Sequence, residues 1–131
     1  MNLVNGKASS SISIFDRGFL YGDSVFETIL VLNKNPKNIK LHLSRLKKGC
    51  SYLKIKNLDL KLLQRNIKKA LSDEKDCVLS INITRGTVKN RGYNINLAPK
   101  KPNIILTTGL IPKYPKPVSY THLTLPTKRI V

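Results

Sequence analysis

Residues 16–32 have the sequence DRGFLYGDSVFETILVL, in which a glycine-containing loop runs directly into an apolar stretch. Apolar residues occupy both alternating positions over residues 25–32, which predicts a β-strand that is covered on each side. Gly18 and Gly22 allow sharp turns before this strand, and the charged residues beside them can tie the loop down. We therefore expect a constrained loop at the entrance to a central strand.

Short strands and turns flank this segment. Residues 1–4 predict a strand that enters an Asn5-Gly6 turn, and residues 8–14 predict the strand that returns from it. On the other side, residues 33–36 favour a turn, and residues 37–39 are expected to return as a hairpin partner.

Two amphipathic helices are predicted next. In each, apolar residues recur at spacings of three and four, which places them on one face of a helix. Asn57 or Asp59 can cap the second helix, because both side chains accept hydrogen bonds from backbone N–H groups. The predicted core faces are Leu43, Leu46, Cys50 and Leu53 in the first helix, and Leu60, Leu63, Ile67, Ala70 and Leu71 in the second.

Strands return after the helices. Apolar and polar residues alternate over residues 78–85, with Leu79, Ile81 and Ile83 on one side, which predicts a half-buried strand. A polar loop over residues 86–101 precedes a last strand over residues 103–108. This order of elements indicates an α+β domain in which an antiparallel or mixed sheet packs with two helices, and it disfavours a doubly wound fold.

The length and composition fit one domain with a modest core, since 40% of the 131 residues are hydrophobic. No stretch reaches the roughly 20 apolar residues of a membrane span, and the first residues lack the features of a signal peptide. We therefore expect a cytoplasmic protein. Cys50 and Cys77 are not spaced like metal ligands, so we expect two buried free thiols.

The formal net charge of +17 raises the possibility of nucleic-acid binding. However, 18 of the 24 basic residues are lysines, whereas nucleic-acid surfaces favour arginine for its bidentate fork. The lysines are scattered, with no stripe and no aromatic stacking motif. A basic nucleic-acid-binding module thus stays an alternative, and solvated helix faces are the preferred interpretation.

One acidic residue requires a partner. Glu27 lies on the same strand face as Val25 and Ile29, where a lone carboxylate would be costly. One of Arg17, Arg85 and Arg91 is expected to pair with it, and a solvated loop acid is the alternative.

Three segments together resemble the class IV aminotransferases, the fold-type IV family of pyridoxal-phosphate enzymes. Residues 16–28 resemble the family pattern DRGxxYGDGxFET, although Ser24 stands where glycine is usual. Residues 42–46, HLSRL, resemble the family's HxxRL helix start. Residues 83–86, ITRG, and 91–93, RGY, are similar to a turn and a triplet of the aminodeoxychorismate lyases, whereas D-amino acid aminotransferases carry R-x-H there.

The resemblance implies a fold, a cofactor and site residues. Residues 1–117 would form the N-terminal small domain of the D-amino acid aminotransferase-like fold, with pyridoxal 5'-phosphate as the cofactor. Arg45 would bind the cofactor phosphate, and at 100° per residue it lies off the core face, on a flank shared with Gly49. Arg91, Tyr93 and Phe26 would bind the substrate, with Arg45 and Arg91 converging on one cleft. His42 is assigned to helix packing.

The implied function is that of an aminodeoxychorismate lyase, which converts 4-amino-4-deoxychorismate to 4-aminobenzoate and pyruvate for folate synthesis. No lysine here matches the family lysine that carries the cofactor, so the chain is expected to be a fragment, inactive alone and a homodimer when intact. A D-amino acid or branched-chain aminotransferase is the alternative. Residues 118–131 match nothing expected after the last strand, and we interpret them as an artefactual tail.

Overall fold

A computed structural model describes residues 1–89 and 101–113 of the chain. Within them, strands and helices follow one another in the order strand, helix, strand, helix, strand. The elements are β1 (Leu3–Val4), β2 (Lys7–Ala8), α1 (Arg17–Tyr21), β3 (Ser24–Leu32), β4 (Asn35–Pro36), α2 (Ile39–Tyr52), α3 (Leu60–Ala70), β5 (Cys77–Thr84) and β6 (Asn103–Gly109).

The strands form one sheet in the order β2-β1-β6-β5-β3-β4, and every neighbouring pair is antiparallel. The centre is β5, which pairs with β3 from Ser24 opposite Thr84 to Val31 opposite Cys77. On its other side, β5 pairs with β6 along seven residues. The predicted α+β class with an antiparallel sheet is therefore confirmed.

Helices α2 and α3 pack on one face of this sheet. The predicted alternation of β5 is confirmed, since Leu79, Ile81 and Ile83 are fully buried beneath the helices. The helices contribute their predicted faces, including Leu46, Leu63 and Ala70. Cys50 and Cys77 are buried free thiols, as expected. The core thus lies between the two helices and one side of the sheet. The prediction that β3 is covered on each side is therefore wrong, since Phe26 and Leu30 on its other side are exposed.

The N-terminal hairpin and the turn after β3 differ from the predictions. Of the predicted strand 8–14, only Ala8 lies in β2 and pairs with β1. The ladder does not continue after it, because the Ser9 hydroxyl hydrogen-bonds the backbone N–H and C=O of Ser11. Asn33 and Lys34 both have positive φ, so the chain reverses within two residues. As a result the hairpin partner is Asn35–Pro36, and α2 begins already at Ile39.

The short helix α1 was not predicted. Asp16 caps its first turn by accepting a hydrogen bond from the Phe19 N–H at 3.1 Å, and Gly22 ends it in the left-handed conformation with φ of 68°. Five residues are too few to produce a helical periodicity in the sequence, so the two capping residues were its only signal.

Within residues 1–89 and 101–113, no helix is both long and apolar enough to span a membrane.

Candidate functional site

The loop before β3 is fixed to the sheet by a buried aspartate. Asp16 is fully buried, and its Oδ1 accepts hydrogen bonds from Thr84 Oγ1 at 2.6 Å and from Asn103 Nδ2 at 2.7 Å. Gly18 packs so closely here that a Cβ would lie 2.6 Å from Thr84 Cγ2. The first aspartate and first glycine of the motif therefore attach the loop to the ends of β5 and β6.

A second aspartate of the motif binds two buried arginines. Arg17 Nε donates to Asp23 Oδ2 at 3.0 Å, and Arg85 donates to both carboxylate oxygens, with Nη2 at 2.9 Å from Oδ1. Arg85 also donates to the carbonyl oxygens of Leu53 and Lys54 after α2. Burial alone would raise the pKa of Asp23, but the hydrogen bonds and charges of Arg85 and Arg17 outweigh it and lower that pKa. Asp23 is therefore a structural anion that joins the loop to β5.

Glu27 is paired, but not with the expected arginines. Its Oε1 lies 2.6 Å from His42 Nδ1 and 2.8 Å from Arg45 Nη2. We predicted that Arg17, Arg85 or Arg91 pairs with Glu27. The prediction is wrong for Arg17 and Arg85, because both bind Asp23, and Arg91 lies outside the described residues. Helix α2 crosses the inner face of β3, and the i, i+3 spacing of His42 and Arg45 places both over Glu27.

The charges of this cluster fix where one proton lies. Burial would raise the pKa of Glu27, but hydrogen bonds from His42 and Arg45 lower it, so the carboxylate is ionised. Because an ionised carboxylate only accepts, the short contact requires the His42 proton on Nδ1. The 3.3 Å approach of Arg45 Nη2 to His42 Nδ1 is then a contact between two donors. His42 thus has an electrostatic role beyond the helix packing that we predicted.

Arg45 combines a fixed position with an accessible guanidinium. Its side chain is 57% exposed although it binds the largely buried Glu27. Among the described residues, Arg45 makes one hydrogen bond, from Nη2 to Glu27, and the N–H groups of Nε and Nη1 have no acceptor there. The prediction that Arg45 lies off the core face of α2 is confirmed, since Leu43 and Leu46 are buried.

Gly49 lies beside this site for a different reason from the one expected. A Cβ at Gly49 would lie 2.9 Å from Val25 Cγ1. The glycine therefore allows the backbone of α2 to approach β3 closely, rather than leaving open space next to Arg45. This close approach sets the height of His42 and Arg45 above Glu27.

Phe26 and Arg45 belong to opposite sides of β3. Phe26 points to the face that neither α2 nor α3 covers, and 68% of its surface is exposed. Between these faces the outer edge of β3 is open, because β4 pairs only with Val31 and Leu32. Within the described residues, Glu27 and Phe26 therefore border an unpaired strand edge, with Arg45 above it.

Two predicted site residues, Arg91 and Tyr93, lie outside the described residues. The expected convergence of Arg45 and Arg91 on one cleft therefore stays a prediction. The sequence analysis did not predict that Glu27 and His42 contact each other beside Arg45. The i, i+3 spacing of His42 and Arg45, which places both on one helix face, could have indicated it.

Lysine side chains contribute a dispersed positive surface. None of the ion pairs among residues 1–89 and 101–113 includes a lysine. The exposed lysines occur on α2, on α3 and in turns, as the solvated-face interpretation predicts. Our expectation against nucleic-acid binding remains a prediction.

Comparison with known proteins gives a family. The family model for amino-transferase class IV matches residues 24–130. The chain belongs to the class IV aminotransferase family. Enzymes of this family depend on pyridoxal phosphate. The match also covers residues 118–130, and our interpretation of them as an artefactual tail stays a prediction.

Solved structures with the same fold include enzymes of more than one activity. The 4-amino-4-deoxychorismate lyase from Pseudomonas aeruginosa is 34% identical, with a TM-score of 0.79, and the match covers 88% of this chain and 42% of that one. A branched-chain amino acid aminotransferase from Escherichia coli is 18% identical, with a TM-score of 0.71 and coverages of 88% and 41%. A hypothetical aminotransferase from Mycobacterium tuberculosis in its PLP-bound form is 19% identical, with a TM-score of 0.67 and coverages of 86% and 40%. The chain therefore spans about two fifths of the length of each of these proteins.

The described residues fit the phosphate group of pyridoxal phosphate. An exposed guanidinium with N–H groups to spare can donate charge-assisted hydrogen bonds to a phosphate. Glu27 accepts only from Nη2 and leaves the N–H groups of Nε and Nη1 for such a ligand. The cofactor of the family is thus compatible with the side chain that the sequence indicated for it.

Proposed function

We propose that this chain is the N-terminal domain of a pyridoxal-phosphate-dependent aminodeoxychorismate lyase, which forms 4-aminobenzoate and pyruvate from 4-amino-4-deoxychorismate. The observation that carries the proposal is the exposed guanidinium of Arg45, held over β3 by the ionised Glu27. The 34% identity to the Pseudomonas aeruginosa lyase supports this activity over others of the family.

Arg45 would bind the cofactor phosphate, and Glu27 would act through it as a positioning residue. An arginine on a solvent-exposed helix flank samples many rotamers, and fixing one of them before binding removes that entropic cost. The hydrogen bond to Glu27 restricts the guanidinium of Arg45, and His42 hydrogen-bonds the same carboxylate oxygen of Glu27. The trio would thus present a preorganised guanidinium to the phosphate.

Substrate contacts would come from Phe26, Arg91 and Tyr93. The exposed ring of Phe26 offers an apolar surface at the open edge of β3, suited to the ring of the substrate. Arg91 and Tyr93, a cation and a phenolic donor, would bind a substrate carboxylate. Bound pyridoxal phosphate supplies an electron sink for breaking bonds at the carbon next to the amino group.

The lysine that carries the cofactor would come from a larger second domain, because this chain corresponds to about two fifths of the lyase from Pseudomonas aeruginosa. In this proposal residues 1–117 are the N-terminal domain, residues 118–131 are foreign to it, and the complete enzyme is a cytoplasmic homodimer of the folate pathway.

A transaminase is the second candidate. The matching family model and the shared fold of the Escherichia coli branched-chain enzyme favour it. Both activities need the same phosphate-binding arginine, so the difference would reside in the substrate contacts.

A hybrid enzyme tests the proposal. Residues 1–113 would be joined to the C-terminal half of the Pseudomonas aeruginosa lyase, and the product would be assayed with 4-amino-4-deoxychorismate and with branched-chain or D-amino acids. Release of 4-aminobenzoate that is lost in the Arg45→Gln hybrid supports the lyase. Keto-acid formation without 4-aminobenzoate release would instead support the transaminase, and a folded hybrid that binds no pyridoxal phosphate would refute both.

A further inference from the structure

A cavity lies between α3, the β1–β2 turn and the start of β6. Its volume is about 460 Å³, which falls within the usual range for small-molecule sites. It shares no lining residue with the site around Glu27. The lining residues are Asn5, Asn57, Asp59, Leu62, Asn66, Lys101, Pro102, Asn103 and Ile104.

The other asparagines in its wall are already engaged. Asn5 accepts from the Ile104 N–H at 2.8 Å and donates to Asn103 Oδ1 at 3.1 Å. Asn103 Nδ2 donates in turn to Asp16 and Thr87. Asn57 also has a partner of its own. These amides therefore hold the wall together and offer little to a ligand.

Asn66 differs from them. Only 8% of its surface is exposed, and its side chain has no hydrogen-bond partner among the described residues. No fully enclosed side-chain nitrogen or oxygen of the described chain lacks a partner, so the amide of Asn66 retains access to the cavity. Asn66 lies on the buried side of α3 and lines the cavity, so its amide is available to a ligand there.

The space for this amide depends on Gly6. The φ of Gly6 is +81°, and a Cβ there would lie 3.1 Å from Asn66 Oδ1 and 3.3 Å from Nδ2. The absence of a side chain at Gly6 therefore leaves the room that the amide occupies. The amide itself is a planar group that offers a donor beside an acceptor.

The rest of the wall indicates the character of the ligand. Leu62, Pro102 and Ile104 supply apolar surface. Asp59 and Lys101 contribute one charge of each sign, so the wall has no net preference for an anion or a cation. We propose that this cavity binds a neutral planar molecule that presents an acceptor beside a donor to Asn66, as a primary carboxamide or an adenine ring does.

The test follows the side-chain amide signals of the 131-residue chain by ¹H–¹⁵N NMR during titration with adenosine and, separately, with benzamide. We expect at least one of them to shift the Asn66 Nδ2 signals saturably, with a Kd of about 1 mM or tighter. The signals of Asn5 and Asn103 should move less, because their amides are already bonded. Binding of adenosine alone would identify a base, and binding of benzamide alone a carboxamide.

A matched pair of variants on α3 provides the control. Asn66→Asp and Gln64→Glu both convert an amide to a carboxylate, but Gln64 does not line this cavity. We expect roughly tenfold weaker binding in N66D and unchanged binding in Q64E. Absence of any Asn66 shift at about 10 mM of either compound, which means that water alone fills the cavity, would overturn the proposal. Equal weakening in both variants would also overturn it, and if N66D does not fold, the wild-type titration decides by itself.

Discussion

Arg45 Nη2 donates a hydrogen bond to Glu27 Oε1 at 2.8 Å, which connects a solvent-exposed guanidinium on α2 to a largely buried carboxylate on β3. The connection spans the only part of β3 whose outer edge has no neighbouring strand among the described residues. A guanidinium that is held by a carboxylate on the sheet side and exposed to solvent on the other side is suited to an anionic ligand. The predictions that follow examine this site and the packing that supports it.

Replacement of Arg45 should weaken binding of pyridoxal phosphate to the hybrid enzyme. Loss of charge-assisted hydrogen bonds in Arg45→Gln predicts a Kd about ten to a hundred times higher. Arg45→Lys keeps the charge but loses the planar fork, so we expect an intermediate effect. Equilibrium dialysis followed by cofactor absorbance measures the Kd. Arg65→Lys, at an exposed position of α3, is the control and should bind pyridoxal phosphate as the parent does. Wild-type affinity in R45Q would contradict the assignment of Arg45.

Gly49 should be required for the seating of α2 on β3. Gly49→Ala gains about 1 kcal/mol of helix propensity but forces a Cβ to 2.9 Å from Val25 Cγ1, where overpacking typically costs about 1–3 kcal/mol. We expect a net loss of about 1 kcal/mol in the free energy of unfolding, measured in urea. In a Val25→Ala background the same change should stabilise by about 1 kcal/mol, because only the propensity gain remains. An equal effect in both backgrounds would contradict the close approach.

Much of the fold could be predicted because it depends on local periodicity. The alternation of Leu79, Ile81 and Ile83 and the three-and-four spacing of Leu43, Leu46 and Cys50 each report which side of an element is buried. The exposure of Arg45 follows from the same geometry. The fold class, the core residues and the position of Arg45 on the exposed flank of α2 could therefore be predicted from the sequence.

The partners of Glu27 were not accessible in this way. They depend on where α2 crosses β3, and that crossing is set by the contact between Gly49 and Val25, residues 24 positions apart along the chain. Three arginines were plausible partners by charge alone, yet Asp23 binds two of them. Likewise, α1 is defined by capping at Asp16 and Gly22 and not by any repeat.

The two cysteines should react slowly in the folded chain. Burial raises the pKa of Cys50 and of Cys77, and neither thiol is more than 3% exposed. Since the thiolate is the nucleophile, a disulfide reagent such as DTNB should modify both thiols only as fast as the protein opens. The labelling rate should rise steeply across the urea transition. Rapid native-state labelling of either cysteine would contradict the described packing.

Asp23 should make the chain sensitive to acid. Its pKa is lowered from 3.8 in the folded chain, so the folded state binds fewer protons than the unfolded state, and the resulting stability is complete above the ordinary pKa and lost as the pH falls through the folded one. Asp23→Asn should destabilise the chain by about 3 kcal/mol at neutral pH, because it leaves Arg17 and Arg85 buried without their anion. It should also flatten the decline in unfolding free energy as the pH falls below the ordinary aspartate pKa of 3.8, measured by urea titration. Asp73→Asn, at an exposed position, should change neither quantity. If the decline is as steep in D23N as in the parent, the acid sensitivity arises elsewhere, and the paired Glu27 becomes the next group to replace.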